Sequence, residues 1–383
     1  MTEVEYMGLR LKNPVIAAPA STTQTAEKIA RLEEAGASAA VMKTLFELEV
    51  ARRSPSPRFK LIRRRLGPWE STVFYSYEQA SPFGPEEYAR EIEKAKRLCS
   101  IPVIASIGCE TEKAWVEYAK CVEQAGADAL ELDISCPHGP RALSGADFEG
   151  EMERVLRLVK GAVEIPVAVK LTGQLTSPLS VAKRLEVAGA NGLVLFNRFT
   201  GLDIDLDKEA PVMHGSYAGH GGPWSLHFVL RWVCQISPQV GIPIAATGGI
   251  TSGEDVAKCI LCGATAVEVC TAIMLLGRRA LTKIVKGFER WMEGKGYTSV
   301  DEFRGKAAGR VLSLHEVDRA PKVVSTVAEE RCSGCGLCAE VCPQGAVSLL
   351  PKAVVDRERC DGCGLCVEVC PEGAVFLSPR PSL

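Results

Sequence analysis

Along residues 1–295, short β-branched apolar runs alternate with stretches of helical periodicity, and two recurrent punctuation marks separate them. Apolar runs open directly after a proline at Asn13-Pro14-Val15, Ile101-Pro102-Val103, Ile165-Pro166-Val167 and Ile242-Pro243-Ile244. Between them, small-Gly-Ala triplets precede further apolar runs at Ala35-Gly36-Ala37, Ala125-Gly126-Ala127, Ala188-Gly189-Ala190 and Cys262-Gly263-Ala264. A proline suits the first position of a strand, where no ladder N–H is needed, and a glycine suits the left-handed residue that ends a helix. Segments such as Glu86 to Leu98 and Glu112 to Gln124 carry the helical period.

This rhythm predicts about eight strand–helix units, with strands near residues 15–20, 38–43, 102–107, 128–134, 166–171, 192–197, 242–247 and 265–270. Eight such units in roughly 250–300 residues match a (β/α)8 TIM barrel. An open doubly wound sheet is the alternative. Against it, no strand runs into a GxGxxG turn, and Gly219, Gly221 and Gly222 fall in a loop. In a barrel, chemistry belongs where the strands end. Those ends carry Lys43, Asp133 through Cys136, Lys170, Asn197, Gly248 with Gly249, and Thr271. The expected division is a barrel over 1–305, a polar linker over 306–330 and a small domain over 331–383.

Composition narrows the class. The formal charge of −2 lacks the basic footprint of a nucleic-acid-binding surface. Apolar residues at 46% and charged residues at 24% support a packed core. No apolar run approaches the ~18–20 residues that span a bilayer. The opening MTEVEYMGLR is polar and acidic where a signal peptide would be basic and then apolar. We therefore expect a cytoplasmic protein, in which the 16 cysteines serve metal binding or catalysis in preference to disulfides.

Eight of those cysteines form a duplicated unit: RCSGCGLCAEVCPQGAV at 331–347 recurs as RCDGCGLCVEVCPEGAV at 359–375. Each copy has the C-x2-C-x2-C-x3-C-P spacing of two-cluster bacterial ferredoxins, in which the fourth cysteine serves the other cluster. One 4Fe–4S cluster then takes Cys332, Cys335, Cys338 and Cys370. The other takes Cys360, Cys363, Cys366 and Cys342. Paired zinc knuckles are the competing reading, although zinc usually takes two separate CxxC pairs. One-electron clusters require a partner cofactor in the barrel that converts single electrons into a two-electron step.

The string ELDISCPHG (131–139) resembles the NLSCP(N/H) signature of dihydroorotate dehydrogenases and dihydropyrimidine dehydrogenases, and the likeness extends over nearly the whole chain. The resemblance implies an FMN barrel with Cys136 as catalytic acid/base. It sets the backbone of Ala18, Pro19 and Ala20 (in LKNPVIAAPA) along the flavin. Lys43 and Thr44 (in MKT) and Lys170 (in AVKLT) stand at the flavin positions of strands two and five. Gly248 and Gly249 (in ATGGI), Thr271 (in CTAI) and the loop glycines Gly219 and Gly222 fall where the family holds the FMN phosphate. GYTSVDEFRGK (296–306) matches the barrel's tail. The appended cysteine pair resembles the dihydropyrimidine dehydrogenase branch, which implies a separate redox partner: an FAD/NAD(P)-binding subunit or a ferredoxin.

Substrate positions depart from the family. Where the family reads a pyrimidine with asparagines, this chain has Asp133, Ser76 (by a gapped alignment) and the pair Asn197-Arg198; His138 follows the cysteine. Asp133 favours a ligand presenting N–H or O–H groups, and Arg198 is either a solvated loop residue or a carboxylate-binding fork. The basic run ARRSPSPRFKLIRRR (51–65) reads as a solvated, proline-interrupted loop or as a dock for an acidic partner or anionic substrate. The expected activity is reduction, or reversible oxidation, of an activated C=C/C–C bond of a small cyclic or carboxylate-bearing substrate. A tRNA dihydrouridine synthase-like enzyme and an electron-transfer subunit with a catalytically silent barrel are the rivals. A homo- or hetero-oligomer is expected.

Overall fold

The computed structural model describes residues 2–78, 81–134, 144–213, 215 and 217–380. The chain divides into two units, Met1–Val311 and Leu312–Leu383.

In the first unit, parallel strands close into a TIM barrel. They are β1 (Val15–Ala17), β2 (Ala39–Val41), β3 (Val103–Gly108), β4 (Ala129–Leu132), β5 (Val167–Thr172), β6 (Gly192–Asn197), β7 (Ile244–Thr247) and β8 (Ala266–Val269). Each hydrogen-bonds to its sequence neighbour and β8 returns to β1, so no open sheet edge remains. The helices α1 (Ala26–Glu34), α2 (Pro85–Leu98), α3 (Glu112–Gln124), α4 (Gly145–Lys160), α5 (Pro178–Val187), α6 (Leu226–Ile236), α7 (Gly253–Leu261) and α8 (Arg278–Lys295) follow the strands in turn.

The punctuation works as its chemistry dictates. Pro14, Pro102, Pro166 and Pro243 lack an N–H, yet each carbonyl accepts from the adjacent strand, at 2.8 Å from Val267, 3.1 Å from Ala40, 2.8 Å from Leu130 and 3.0 Å from Leu193. Gly36, Gly126, Gly189 and Gly263 all have φ between 90° and 110°, the left-handed exit from α1, α3, α5 and α7 that side chains disfavour. Thr25, Thr111, Ser144, Ser177 and Ser252 cap helix N-termini with their side-chain oxygens.

The barrel's lumen is not wholly apolar. Lys170 on β5 donates to Glu131 on neighbouring β4 at 3.0 Å and to Glu268 on β8 at 2.8 Å. Since β6 and β7 lie between β5 and β8 in the sheet, the second contact must cross the lumen. All three side chains are at most 6% exposed. Burial, and then Glu268, push the Glu131 carboxyl well above the usual range, which favours its protonated form. Burial acts to lower the Lys170 pKa, but Glu131 and Glu268 outweigh it and hold the ammonium charged.

Below the triad, the N-terminal hairpin Val4–Tyr6/Leu9–Leu11 buries Tyr6 and seats Met7 against Gly192 at the start of β6. At the other end, Phe59–Leu66, Trp69–Ser76, Ala218–Gly221 and Phe199–Gly201 form a four-stranded antiparallel sheet from insertions after β2 and β6. The second half of the basic run is thus strand: Arg63, Arg64 and Arg65 pair across to Thr72, Ser71 and Glu70.

The second unit contains two antiparallel pairs, β9 (Val323–Val327) with β12 (Val375–Pro379) and β10 (Val347–Leu350) with β11 (Lys352–Val355). The expected linker 306–330 is not a plain connection. Ala307 still bonds to Leu261 in the barrel unit, and Val323–Val327 is a strand with Val324 and Ser325 buried. Five residues in a polar context carry little period, and β9 forms because β12 supplies its partner from far along the chain. Among the described residues, no helix is long and apolar enough to cross a membrane.

The triad yields a stability test. Lys170→Met leaves two buried carboxylates without their cation and should lower the barrel unit's unfolding free energy by about 3–5 kcal/mol. Glu268→Gln keeps one carboxylate against the lysine and should cost less than half of that. Calorimetry of the barrel transition compares the two; equal losses would contradict the charge pairing.

Candidate active site

The C-terminal ends of the barrel strands open into a cleft enclosing about 1060 Å³ of space, counted to its open mouth. Its floor and walls include Ala18, Pro19 and Ala20 after β1, Thr44 after β2, Asp133 after β4, Lys170, Asn197 with Arg198, Gly248 with Gly249, and Thr271. Phe74, Ser76, Phe199 and His220 reach it from the mouth sheet. Cys136 and His138 lie outside the described residues.

One wall is built of backbone. Gly248 and Gly249 have φ of 117° and 76°, and a Cβ on Gly249 would stand 2.4 Å from the Leu226 nitrogen. A Cβ on Gly221 would stand 2.5 Å from Thr271 Oγ1. A side chain is therefore excluded at Gly221 and at Gly249, beside Gly222, Gly248 and Thr271. Exposed backbone amides in such a cradle suit a phosphate. Lys170 supplies a buried cation at the floor. Together these residues fit the phosphate and the electron-rich ring of FMN.

Other predicted positions are arranged differently. Lys43 does not line the cleft; its ammonium is bonded to the Glu78 carboxylate and, at 2.9 Å, to the Glu78 carbonyl. Burial lowers the Lys43 pKa against the opposing pull of Glu78. For Glu78 the burial penalty is outweighed by Lys43, which holds the carboxyl below its ordinary value. Glu78 lines the cleft, and its Oε1 has no hydrogen-bond partner among the described residues. Gly219 pairs with Ser76 and lies beneath Arg198: a Cβ there would fall 2.2 Å from Arg198 Cδ. The missing side chain lets Arg198 cross into the cleft, so the solvated-loop reading of that arginine does not hold.

Asp133 is buried and already engaged. Its Oδ1 accepts from Asn197 Nδ2 at 2.7 Å, and its Oδ2 from Thr44 Oγ1 at 3.5 Å. The Asn197 side-chain oxygen in turn accepts from the Arg198 backbone N–H at 2.9 Å. Burial raises the Asp133 pKa, opposed by Lys170 and Arg198. Cys270 also lines the cleft, its thiol pushed up to about 11 by burial and then Glu78.

Sequence reasoning missed Glu78, Glu131 and Glu268. The last two carried a signal: each is a lone charge inside an apolar strand run, ALEL and AVEV. Glu78 had none, because its role depends on where the mouth sheet folds back.

In the second unit, Cys332, Cys335 and Cys338 of the first repeat and Cys370 of the second line one cavity of about 320 Å³. The Cys342 and Cys370 sulfurs accept equivalent backbone bonds, from Ala346 at 3.3 Å and Ala374 at 3.2 Å, one in each repeat. Among the described residues, no three Cys, His, Asp or Glu side chains converge tightly enough to chelate one ion. Four thiols around a cavity fit a cubane cluster and do not fit tetrahedral zinc.

Comparison with known proteins agrees with both halves. Residues 1–292 match the family model "Dihydroorotate dehydrogenase", and residues 331–374 match "4Fe-4S dicluster domain". The chain is 32% identical to the dihydroorotate dehydrogenase B (NAD(+)) catalytic subunit of Methanothermobacter thermautotrophicus, over 80% of this chain and 98% of that one. It is 28% identical to the NAD-dependent dihydropyrimidine dehydrogenase subunit PreA of Escherichia coli K12, over 89% of this chain and 85% of that one. The corresponding dihydroorotate dehydrogenase B subunit of Pyrococcus abyssi is 30% identical over 80% of this chain and 99% of its own. The chain belongs to the dihydroorotate dehydrogenase family, as an FMN oxidoreductase acting on CH–CH bonds that carries two 4Fe–4S clusters.

Proposed function

We propose that the barrel reversibly hydrogenates a polarised C=C bond in a small unsaturated acid, exchanging electrons with a separate redox partner through the cysteine-rich unit. The observation that carries the substrate class is the Arg198 side chain, admitted to the cleft by Gly219 and standing among Asp133, Asn197 and Phe199. A guanidinium there pairs bidentately with a carboxylate, whereas a neutral pyrimidine ring cannot use its charge. Asp133, with both oxygens accepting, serves to hold Asn197 in place and offers no donor to a uracil carbonyl.

FMN bound in the cleft supplies hydride exchange with one substrate carbon, and the clusters supply single electrons. The chain's residues do the remainder. The glycine wall binds the phosphate end, and Lys170 sets a positive charge at the floor. Arg198 and Asn197 orient the substrate, and the aromatic rings of Phe74, Phe196 and Phe199 exclude water beside it. Cys136, which falls between β4 and α4 in the sequence, holds the proton for the adjacent carbon; a thiol of ordinary pKa about 8.5 can donate at neutral pH and accept in reverse.

Relatives named as subunits, and the lack of a strand–GxGxxG–helix fingerprint in this sequence, support nicotinamide oxidation on another chain. The exposed Arg63, Arg64 and Arg65 of the mouth hairpin support an acidic partner. A cysteine-rich unit devoted to iron–sulfur clusters supports a reducing, cytoplasmic setting.

Three outcomes are expected. Cys136→Ala should retain FMN while slowing substrate-dependent flavin oxidation by about 10²–10⁴-fold in stopped-flow measurements. An unchanged rate would remove the cysteine from proton transfer. In competition kinetics, unsaturated acids should outrun uracil, and Arg198→Ala should lower their kcat/KM by about 10–100-fold while leaving uracil's nearly constant. Preference for uracil in both proteins would overturn the substrate class. NADH and NADPH should reduce the isolated chain only slowly, and rapid reduction by either would show that no separate subunit is needed.

A further inference from the structure

The cysteine-rich unit is a duplication whose two copies differ at a buried position beside a cysteine sulfur. The repeat extends upstream of the cysteines: VVSTV at 323–327 falls on PKAVV at 351–355, which sets Ser325 of β9 against Ala353 of β11. Each of these residues lies beside one cysteine quartet. Ala353 lines the cavity of Cys332, Cys335, Cys338 and Cys370. Ser325 instead places its hydroxyl oxygen 3.1 Å from the sulfur of Cys366, with both residues buried. A ligating cysteine is a thiolate and has no proton to give, so in the loaded protein the serine must be the donor. The backbone donors to Cys342 and Cys370 are equivalent in the two repeats and cancel in the comparison. Ser325 does not cancel, because its counterpart Ala353 has no hydroxyl and offers Cys332 only its backbone N–H.

We propose that Ser325 is a tuning residue: its hydroxyl hydrogen bond to Cys366 raises the reduction potential of the cluster held by Cys342, Cys360, Cys363 and Cys366, and Ala353 withholds the same effect from the other cluster. The inference rests on the ligand assignment above. One-electron reduction adds a negative charge to the cluster and its thiolates. A donor aimed at one sulfur stabilises that charge more in the reduced state than in the oxidised state, and hydrogen bonds to sulfur are among the determinants of these potentials. Burial makes the effect larger, since no water competes for the sulfur there. Surface charges add their own offsets: Asp361 accepts from the Cys363 N–H at 3.1 Å, and Lys352 lies near Cys332. Ser325 therefore determines an increment in one potential, separable by substitution from those offsets.

The test is an anaerobic potentiometric titration of the full-length holoprotein followed by electron paramagnetic resonance, with iron analysis of every sample. Ser325→Ala should move one of the two cluster couples downward by about tenfold in its reduction equilibrium, which for one electron is about 59 mV, and leave the other in place. Ser325→Thr, which keeps the hydroxyl, should restore it. Ala353→Ser should raise the second couple. Two unmoved couples in fully loaded Ser325→Ala and Ala353→Ser proteins would overturn the proposal. If Ser325→Ala loses iron, Ala353→Ser decides alone: failure to raise its couple overturns the tuning role. Wild-type protein with far fewer than about eight irons would overturn the ligand assignment itself, and the tuning with it.

Discussion

The catalytic half of this protein depends on one buried interaction, the lysine of β5 held between carboxylates of β4 and β8. A closed parallel barrel consumes its backbone hydrogen bonds in the sheet, so what its mouth can offer a ligand comes from side chains and strand-end loops. A cation at that depth is tolerable only with partners, and Glu131 and Glu268 supply them from two sides of the lumen. Two carboxylates for one ammonium would leave a net negative charge, and the upward push on Glu131 shows where a proton relieves it. The arrangement fixes Lys170 at the floor of the cleft. It also gives that floor a charge balance set by protonation.

Around this floor, shape is made by omission. Gly249 allows the β7 turn to press against the start of α6, Gly221 allows the mouth sheet to meet Thr271, and Gly219 opens the path for Arg198. The first two leave backbone amides bare for an anion. The third admits a charge into the cleft. Lys43 illustrates the opposite case, a strand-end lysine turned aside by the Glu78 carboxylate.

The second unit solves a different problem with the same economy. A short repeat with little apolar core packs around its own cysteines, and the cavity of Cys332, Cys335 and Cys338 borrows Cys370 from the other copy. Duplication makes the two sites alike, and single departures such as Ser325 against Ala353 make them unequal.

Sequence alone determined the features whose physics is local. Prolines without N–H groups open four strands, glycines with positive φ end four helices, and the recurrent cysteine spacing specifies two interleaved quartets. Each needs only its neighbours in the chain, so the barrel, the cluster module and about half of the cleft-lining positions were legible. Tertiary structure alone decided the rest, because the partners come from distant segments. Glu131, Lys170 and Glu268 become one charged group only when the barrel closes. β9 exists because β12 pairs with it, turning part of an apparent linker into the strand that bears Ser325. Arg198 and Glu78 acquire their roles only when the mouth sheet folds over the strand ends, since the space that admits one and the lysine that holds the other belong to other elements.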